Sequence, residues 1–403
     1  MNLLHHMKFL LTLLGITLIL SQCSTQNNRY NHFENKVVSK HVTKLRTYDS
    51  PGRSAEVISY SRKLGLLLAT NSTSKQVMCM QLSNPATADP KPIDFNHAKR
   101  GIQGLQLGGE PTSVACHPNQ PFAFTAVNQG HGRLVVFDLN AAAQGQKKVI
   151  IDQRIGLHLD SIAVSPNGQW VVVADEAEGN NNTPGNILVA STNGFRSGKN
   201  LTFRKVPGLA QALGRPAGSV EPEFIAIDPS SRFAAVSCQE DNAIAIIRLG
   251  NSPSLGSIIR LPSGSEPDGV HIIRSGGKTI LGIAEEGADK ASFYEINSSN
   301  LRTSLLSRVN VRHLGGQGSR SDPEGIALFH QGTNLYAAIG IERANRILVL
   351  NLNNPSVPAK EAIVSTGSRP EDIIAISSGN STIVVSADEG KPGRGELSFI
   401  KVQ

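Results

Sequence analysis

Residues 221–249 read EPEFIAIDPSSRFAAVSCQEDNAIAIIRL. Three short apolar runs rich in Val, Ile and Ala alternate with polar turn residues, a pattern typical of β-strands joined by tight turns. The tetrapeptide Asp228-Pro229-Ser230-Ser231 separates the first two runs and supplies the fixed φ and side-chain hydrogen bonding of a turn. The stretch therefore predicts three consecutive antiparallel strands, A, B and C, behind a short stem that contains Glu221 and Glu223.

The same stem and strand pattern recurs along the whole chain. At the stem proline or its equivalent, the seven copies fall at positions 55, 111, 159, 222, 267, 323 and 370, with spacings of 45 to 63 residues. That spacing is the size of a propeller blade. The chain is thus predicted to be an all-β, seven-bladed β-propeller. The other six stems are AEVISYS from Ala55, EPTSVAC from Glu110, LDSIAVS from Leu159, EPDGVHI from Glu266, DPEGIAL from Asp322 and RPEDIIA from Arg369.

The two ends of the chain complement each other. The last repeat stops at strand C, Glu396 to Val402, whereas residues from about Val37 to Tyr48 form a spare strand before the first stem. We expect this N-terminal strand to be added to the last blade and to close the ring, which hides a free strand edge. Residues 37–403 would then form one domain. Helical periodicity is expected only at Leu209 to Leu213, in the longest segment between repeats.

Residues 1–22 are predicted to be a signal peptide. Lys8 precedes a 12-residue apolar stretch, Phe9 to Leu20, which is too short to span a bilayer comfortably. The following Leu20-Ser21-Gln22-Cys23 resembles a bacterial lipobox, although Gln22 replaces the usual small residue. Two outcomes stay open, lipidation of Cys23 as the first mature residue and ordinary cleavage. Residues 23–36 form a polar tether, and the protein is expected in the bacterial cell envelope (lipoprotein, periplasm or outer surface) or as a secreted protein.

Charge and cysteine content narrow the function classes. The chain has 39 Lys and Arg against 32 Asp and Glu, a net charge of +7, without the long basic run expected of a nucleic-acid-binding arm. We therefore expect no nucleic-acid partner, and we expect a monomer. Cys79, Cys116 and Cys238 lie inside apolar strand patterns, and an odd number of cysteines in an exported chain predicts buried free thiols.

Several separate motifs resemble one family. Three regions are similar to the repeat of the choice-of-anchor I family, also labelled mesenchyme-specific cell-surface glycoprotein-like. They are the 221–249 stretch, IAVSPNGQWVVVADEAEGN at 162–180, and DPEGIALF at 322–329 with IGIERANRILVLNLNNP at 339–355. The similarity runs in order from about Tyr48 to the C-terminus. The resemblance implies an extracytoplasmic propeller, anchored in one of various ways. It implies no particular substrate, because a fold alone does not specify one.

Aligned carboxylates mark one face of the predicted ring. In a propeller, the stem before strand A and the loop after strand B open on the same face, near the central funnel. An acidic residue occupies the stem in six repeats and the end of strand B in five. The stem residues are Glu56, Asp160, Glu223, Asp268, Glu324 and Glu371, and the strand-end residues are Glu176, Glu240, Glu286, Glu342 and Glu389.

Three interpretations of this acidic rim stay open. The carboxylates brace loops, by accepting backbone N–H bonds or by pairing with Arg215, Arg343, Arg346, Arg369 or His271. Alternatively, some of them hold a proton at raised pKa. In the third interpretation they bind Ca²⁺ or another divalent cation, which takes oxygen ligands, or grip a cationic or hydroxylated ligand.

Motifs for catalysis are sparse. The sequence contains neither a G-x-S-x-G elbow nor an H-E-x-x-H helix motif. Gly276-Gly277-Lys278-Thr279 imitates the end of a phosphate-binding loop but is interpreted as an A–B turn. The histidines are dispersed among the repeats, and His117 is expected at the surface.

The functional hypotheses follow from the acidic face. The first is a binding protein that presents this face, with or without a bound divalent cation, to a protein or glycan partner at the cell envelope. The alternative is a metal-dependent hydrolase of lactonase or phosphoester-hydrolase type that uses the same face. A purely structural envelope protein is the third.

Overall fold

A computed structural model describes residues 39–52, 54–176, 185–314, 320–391 and 393–403. The proposed signal peptide 1–22, Cys23 and the tether 23–36 lie outside the described residues. The first strand, β1 (Val42–Asp49), pairs antiparallel with the last, β29 (Arg394–Val402), with Val42 opposite Val402 and Asp49 opposite Glu396. The outermost strand of the last sheet therefore comes from the N-terminal side of the chain.

The strands form seven antiparallel sheets, here called blades 1 to 7 in chain order. Blade 1 contains β2 (Ile58–Ser61), β3 (Leu66–Asn71), β4 (Gln76–Gln81), β5 (Lys91–Pro92) and β6 (Leu105–Gln106). Blade 2 contains β7 (Glu110–Cys116), β8 (Phe122–Asn128), β9 (Gly132–Asp138) and β10 (Val149–Gly156). Blade 3 contains β11 (His158–Val164), β12 (Trp170–Glu176), β13 (Asn186–Ser191) and β14 (Arg204–Lys205).

The remaining four blades repeat this meander. Blade 4 contains β15 (Pro222–Ile227), β16 (Phe233–Cys238), β17 (Ala243–Arg248) and β18 (Ser254–Arg260). Blade 5 contains β19 (Pro267–Ser275), β20 (Lys278–Glu285), β21 (Lys290–Ile296) and β22 (Thr303–Asn310). Blade 6 contains β23 (Pro323–Gln331), β24 (Asn334–Ile341), β25 (Arg346–Asn351) and β26 (Ala359–Ser365). Blade 7 contains β27 (Pro370–Ser378), β28 (Ser381–Lys391), β29 and β1.

Short helices lie in the connections between strands. In the described ranges, the α-helices are α1 (Leu139–Ala142), α2 (Leu209–Leu213) and α3 (Val311–Leu314), and α2 confirms the one helical segment predicted from sequence. Single 3₁₀ turns occupy Pro85–Thr87, Phe195–Ser197, Ala217–Ser219 and Glu342–Ala344. Within the described residues, every helix is too short or too polar to cross a bilayer.

The hydrophobic core is divided into seven clusters, one between each pair of neighbouring blades. The second strand of each blade is covered on both faces, which explains why runs such as LLLATN in β3 are buried throughout rather than alternating. Between blades 7 and 1, Ile383 and Phe399 pack with Leu67 and Met78. The ring is therefore continuous through all seven interfaces, and the predicted seven-bladed propeller is confirmed.

Turn residues behave as the sequence indicates. Gly276 and Gly277 have φ of 56° and 79° at the hairpin between β19 and β20, which confirms an A–B turn in place of a phosphate loop. His117 differs from expectation, because it is only 4% exposed and its Nε2 lies 3.1 Å from the Gly168 carbonyl oxygen. The surface position expected for His117 is therefore wrong, since the turn of blade 3 packs against it.

The three cysteines of the described chain are free thiols, as predicted. Cys79 and Cys238 are buried, and burial raises the pKa of both thiols above the ordinary value. Burial likewise raises the pKa of Cys116 to about 12. At neutral pH these side chains act as small apolar groups rather than as nucleophiles.

Candidate functional site

The innermost strands share an irregularity at their first residues, where the acidic stems lie. In blades 4 to 7 the pairing register shifts directly after the stem proline, for example between Pro222 and Ile225 and between Pro267 and Val270. In blade 3 the shift falls between Leu159 and Ser161. Such bulges turn a side chain out of the regular alternation of a strand. The side chains of the stem carboxylates therefore do not follow the alternation that would place them on one of the two buried faces of a blade.

A central cavity of about 320 Å³ lies among these stems. Four carboxyl groups line it, those of Asp160, Glu176, Glu223 and Asp268, and its other lining residues contribute no lysine or arginine. These other residues are Val57, Ser113, Ser161 and Phe224. The structure thus brings four of the predicted rim residues together, on blades 3, 4 and 5.

Electrostatic conditions in this cavity disfavour carboxylate charge. Burial, together with the negative charge of Asp268 and of neighbouring glutamates, raises the pKa of Glu223 to about 9. Burial, followed by the charge of Asp372, raises the pKa of Asp268 to about 6. Within the described residues, neither Glu223 nor Asp268 forms a side-chain hydrogen bond or an ion pair with a basic group. The cavity therefore favours any species that brings positive charge to it.

One histidine stands at the edge of the cavity. His158 is directly opposite Glu176 in the ladder between β11 and β12, and the bulge makes Asp160 the extra residue of β11. The Nδ1 atom of His158 lies 2.9 Å from Glu176 Oε2 and 3.5 Å from Asp160 Oδ1. The hydrogen bond with His158 holds the pKa of Glu176 below its ordinary value. We call His158, Asp160 and Glu176 the histidine group.

A second acidic group, on blades 6 and 7, is organised around an arginine. Carboxylate oxygens of Glu324, Glu342 and Glu371 lie within 4.8 Å of one another. The Arg369 guanidinium lies 2.5 Å from Glu342 Oε1 and 4.0 Å from Glu371 Oε1, and it also contacts Glu389. Burial and the charge of Glu371 raise the pKa of Glu324 to about 12, and burial raises that of Glu371 to about 7. An internal cation and a retained proton therefore stabilise this group.

The remaining rim residues are dispersed. Glu286 accepts a hydrogen bond from Gln239 Nε2 at 3.1 Å and lies 3.6 Å from Arg320, and burial raises its pKa to about 7. Glu56 is hydrogen-bonded to the Ser72 hydroxyl. Glu240 is exposed to solvent. These three side chains lie outside the lining of the central cavity.

The arginines that the sequence offered as partners for the rim carboxylates form different contacts. Arg369 pairs with rim carboxylates, whereas Arg343 pairs with Asp322 and Arg215 lies 2.8 Å from Asp241. Arg346 lies in the β24–β25 ladder opposite Ile341 and forms no ion pair in the described part of the chain.

Two buried polar side chains link neighbouring blades instead of lining the site. His271 Nδ1 accepts a hydrogen bond from the Leu328 N–H at 3.3 Å, so this histidine pairs with backbone and not with a carboxylate. Burial lowers the pKa of His271 to about 4, which keeps the accepting nitrogen unprotonated. Asp372 accepts from the Ile58 N–H at 3.0 Å and links blade 7 to blade 1 in the same way.

His158 is not among the site residues predicted from the sequence. The signal was present in the hairpin, because Ser165-Pro166-Asn167-Gly168 fixes the register of β11 against β12 and places the start of one strand against the end of the other. Counting back from that turn alone would pair Leu159 with Glu176, and the bulge at Asp160 shifts the register by one residue so that His158 lies opposite Glu176. The bulge that adds Asp160 to the pair has no comparable sequence signal.

Comparisons with known proteins agree with this architecture. The model of the choice-of-anchor I domain matches residues 56–264, just over half of the 403 residues. No curated protein matches the chain by sequence. The solved structures that are similar to it include three proteins from different organisms.

The first of these is the periplasmic gluconolactonase of Pseudomonas aeruginosa, with a TM-score of 0.59 and 14% identity over 80% of this chain and 98% of the other. The second is Kuenenia stuttgartiensis hydrazine synthase, with a TM-score of 0.58 and 14% identity over 85% and 95%. The third is the Myceliophteria thermophila Cps50 (Swd1) β-propeller domain, with a TM-score of 0.61 and 11% identity over 89% and 99%. Similarity at this level of identity establishes the fold alone.

Proposed function

The chain belongs to the choice-of-anchor I domain family, and on that premise we propose that it is an extracytoplasmic binding protein whose ligand site is the acidic cavity at the centre of the propeller. The ligand is cationic, or it is an anionic or hydroxylated group that a bound cation carries into the cavity. In this proposal the protein is exported, and Cys23, if lipidated, anchors it at the cell envelope next to a protein or glycan partner.

One observation carries the proposal. Arginine neutralises acidic groups on blades 6 and 7, where Arg369 pairs with Glu342 and Glu389. The lining of the central cavity, in contrast, holds four carboxyl groups and no lysine or arginine. Charges that are removed from water and left without a partner are destabilising. Among the described residues, Glu223 and Asp268 have neither a side-chain hydrogen bond nor a basic partner, so the chain retains these two acids at the expense of stability, which is expected of a binding site.

Thermal unfolding of the purified chain tests this proposal. Samples stripped with a chelator are heated alone and with Ca²⁺, Mg²⁺, Mn²⁺, Zn²⁺ or spermidine. A cation that binds only the folded protein raises the unfolding midpoint, since a ligand at 100 times its Kd adds about 2.7 kcal/mol. We expect at least one cation to raise the midpoint and the Glu223→Gln/Asp268→Asn double variant to lose that rise.

Asp152→Asn is the matched control, because Asp152 is an exposed carboxylate on β10, the outermost strand of blade 2, and lies outside the cavity lining. Its cation response should equal that of the wild type. If no cation shifts the midpoint, or if the double variant responds as strongly as the wild type, the cavity is not a cation-dependent ligand site.

Metal-dependent hydrolysis is a second candidate function for the same cavity. It is favoured by the compactness of the histidine group, whose three potential ligand atoms lie within 4.8 Å of one another at the edge of an open space. A metal held there would activate a water molecule. Hydrolysis of aldonolactones and phosphate esters, assayed with each divalent ion, would establish this activity if turnover disappears in His158→Ala. Cation binding without turnover would leave the protein a binding protein.

A further inference from the structure

The histidine group is assembled by the register of one hairpin. His158 and Glu176 are cross-strand partners, and the bulge between Leu159 and Ser161 adds Asp160 from the same strand as the histidine. All three side chains are partly buried and project from a rigid sheet. A site on a strand pair is held more precisely than one on a loop, because the ladder fixes both backbones.

The spacing of the potential ligand atoms suits a single small ion. Three ligands about 2.1 Å from a shared ion lie roughly 3 to 4 Å from one another. The His158 Nδ1 atom is 2.9 Å from Glu176 Oε2 and 3.5 Å from Asp160 Oδ1, and all three ligand atoms lie within 4.8 Å of one another. Small changes of side-chain torsion are enough to bring them onto one centre.

A separate observation points to a cation in this space. Asp268 comes from a different blade, is partly buried and lines the same cavity. Among the described residues, its carboxylate has neither a hydrogen-bond donor nor a basic partner. Glu223 also lines the cavity, and among the described residues its carboxyl group likewise has neither a hydrogen-bond donor nor a basic partner. Two unpartnered carboxylates on blades 4 and 5 therefore face a trio of potential ligands on blade 3.

The chemistry of the trio selects the class of ion. Ca²⁺ and Mg²⁺ prefer oxygen ligands alone, whereas an imidazole nitrogen with two carboxylates suits divalent ions of the first transition series and Zn²⁺. The acidic group around Glu342 offers oxygen ligands only, and Arg369 already supplies its positive charge. The two acidic groups of the ring therefore differ in what they can bind.

We propose that His158, Asp160 and Glu176 form a binding site for one divalent ion of the Zn²⁺ and Mn²⁺ class, with the open side of the ion facing Asp268 and Glu223 across the cavity. This inference rests on the proposed function and specifies it, since the ion is the cation that the acidic cavity accepts. The free coordination positions are where a hydroxylated or anionic ligand would attach.

Isothermal titration of Zn²⁺ and of Mn²⁺ into the chelator-treated full chain tests the site. We expect one ion per chain in addition to any weak binding by exposed histidines. His158→Ala should weaken this binding more than about 100-fold, beyond the 10- to 100-fold loss typical of changes around a metal site. Glu176→Gln, which preserves the shape of the side chain, should weaken it by at least about tenfold.

Two controls separate loss of ligands from loss of fold. His97→Ala removes an exposed histidine whose ring pairs with Asp94, far along the chain from the histidine group, and its Zn²⁺ affinity should equal that of the wild type. The metal-free unfolding midpoint of each variant, measured in parallel, should stay close to that of the metal-free wild type. Substitution of Co²⁺ adds a direct readout, because its visible absorption reports nitrogen ligation and should disappear in His158→Ala.

The outcomes distinguish this site from the broader function. Tight Zn²⁺ or Mn²⁺ binding that survives His158→Ala would overturn the histidine group as the site. Binding of Ca²⁺ or spermidine alone, lost in Glu223→Gln/Asp268→Asn, would overturn the ion class while the acidic cavity stays a cation site. No cation binding of any kind would overturn both.

Discussion

The buried carboxyl of Asp388 should make the stability of the propeller fall as the pH rises. Asp388 lies near the end of β28 and is 0% exposed. Its oxygens accept hydrogen bonds from Ser386 Oγ at 2.6 Å, Ser398 Oγ at 2.6 Å and the Gly367 N–H at 2.9 Å. Burial outweighs these donors and raises the pKa of Asp388 to about 7. The folded protein thus keeps a proton here that the unfolded chain releases near pH 4.

The magnitude follows from that difference in pKa. The unfolded aspartate titrates near pH 3.9, so the gap is about 3 pKa units, or about 4 kcal/mol at 1.36 kcal/mol per unit. The group's pKa is raised on folding, so its stabilisation is complete below pH 4 and is lost as the pH rises through 7. Asp388→Asn stays neutral at every pH and should therefore remove this part of the pH dependence.

Urea unfolding of the wild type and Asp388→Asn between pH 4.5 and 8 measures the effect. The free energy of unfolding of the variant, relative to the wild type, should increase by about 3 kcal/mol between pH 4.5 and 8, since the first part of the effect falls below pH 4.5. Comparing the two proteins cancels the contributions of other buried groups, including His271. The free energy of unfolding of Glu240→Gln, a change at an exposed carboxyl, should vary with pH in parallel with that of the wild type. Parallel curves for Asp388→Asn as well would refute the reasoning.

Two further changes test the arginine group and the inter-blade contacts. Arg369→Met should lower the free energy of unfolding by about 1–3 kcal/mol, because Glu342 and Glu389 lose their shared cation. The loss should be larger at pH 8 than at pH 5, since burial raises the pKa of Glu371 to about 7 and this group is charged beside Arg369 only at the higher pH; urea titrations at both pH values measure this, and an equal loss in the exposed control Arg302→Met would contradict it. Gly325→Ala should lower the free energy of unfolding by more than about 3 kcal/mol, since the added Cβ would lie 2.1 Å from the Glu371 carbonyl oxygen. Thermal unfolding measures this, and the control Gly250→Ala, where the nearest atom is 4.0 Å away, should leave the midpoint almost unchanged. A nearly unchanged midpoint for Gly325→Ala would contradict the close approach of blades 6 and 7.

Much of the fold was predictable because each blade carries its own local signals. Such signals depend on a few neighbouring residues, so one sequence is enough to find them. Examples are the turn at Pro229 with its flanking apolar run, the Gly276-Gly277 hairpin and the helical period of Leu209–Leu213. Burial of His117 was not predictable, because the residue that covers it, Gly168, belongs to the next blade.

The site was less predictable than the fold for the same physical reason. The sequence aligns eleven acidic positions, but it does not show which of them an arginine neutralises. The side chain of Arg369 reaches Glu342 on the neighbouring blade, and a repeat pattern, which describes each copy separately, does not show such a contact. The bulges that redirect Asp160 and Asp268 lie inside single blades, but no residue signal marks them in the sequence.

The most direct test of the central claim is a crystal structure of the full chain grown with Mn²⁺ and measured for anomalous scattering. The account predicts an anomalous peak inside the central cavity, within ligand distance of His158, Asp160 and Glu176. A peak found only at the molecular surface, or a cavity that contains only water at saturating Mn²⁺, would contradict it.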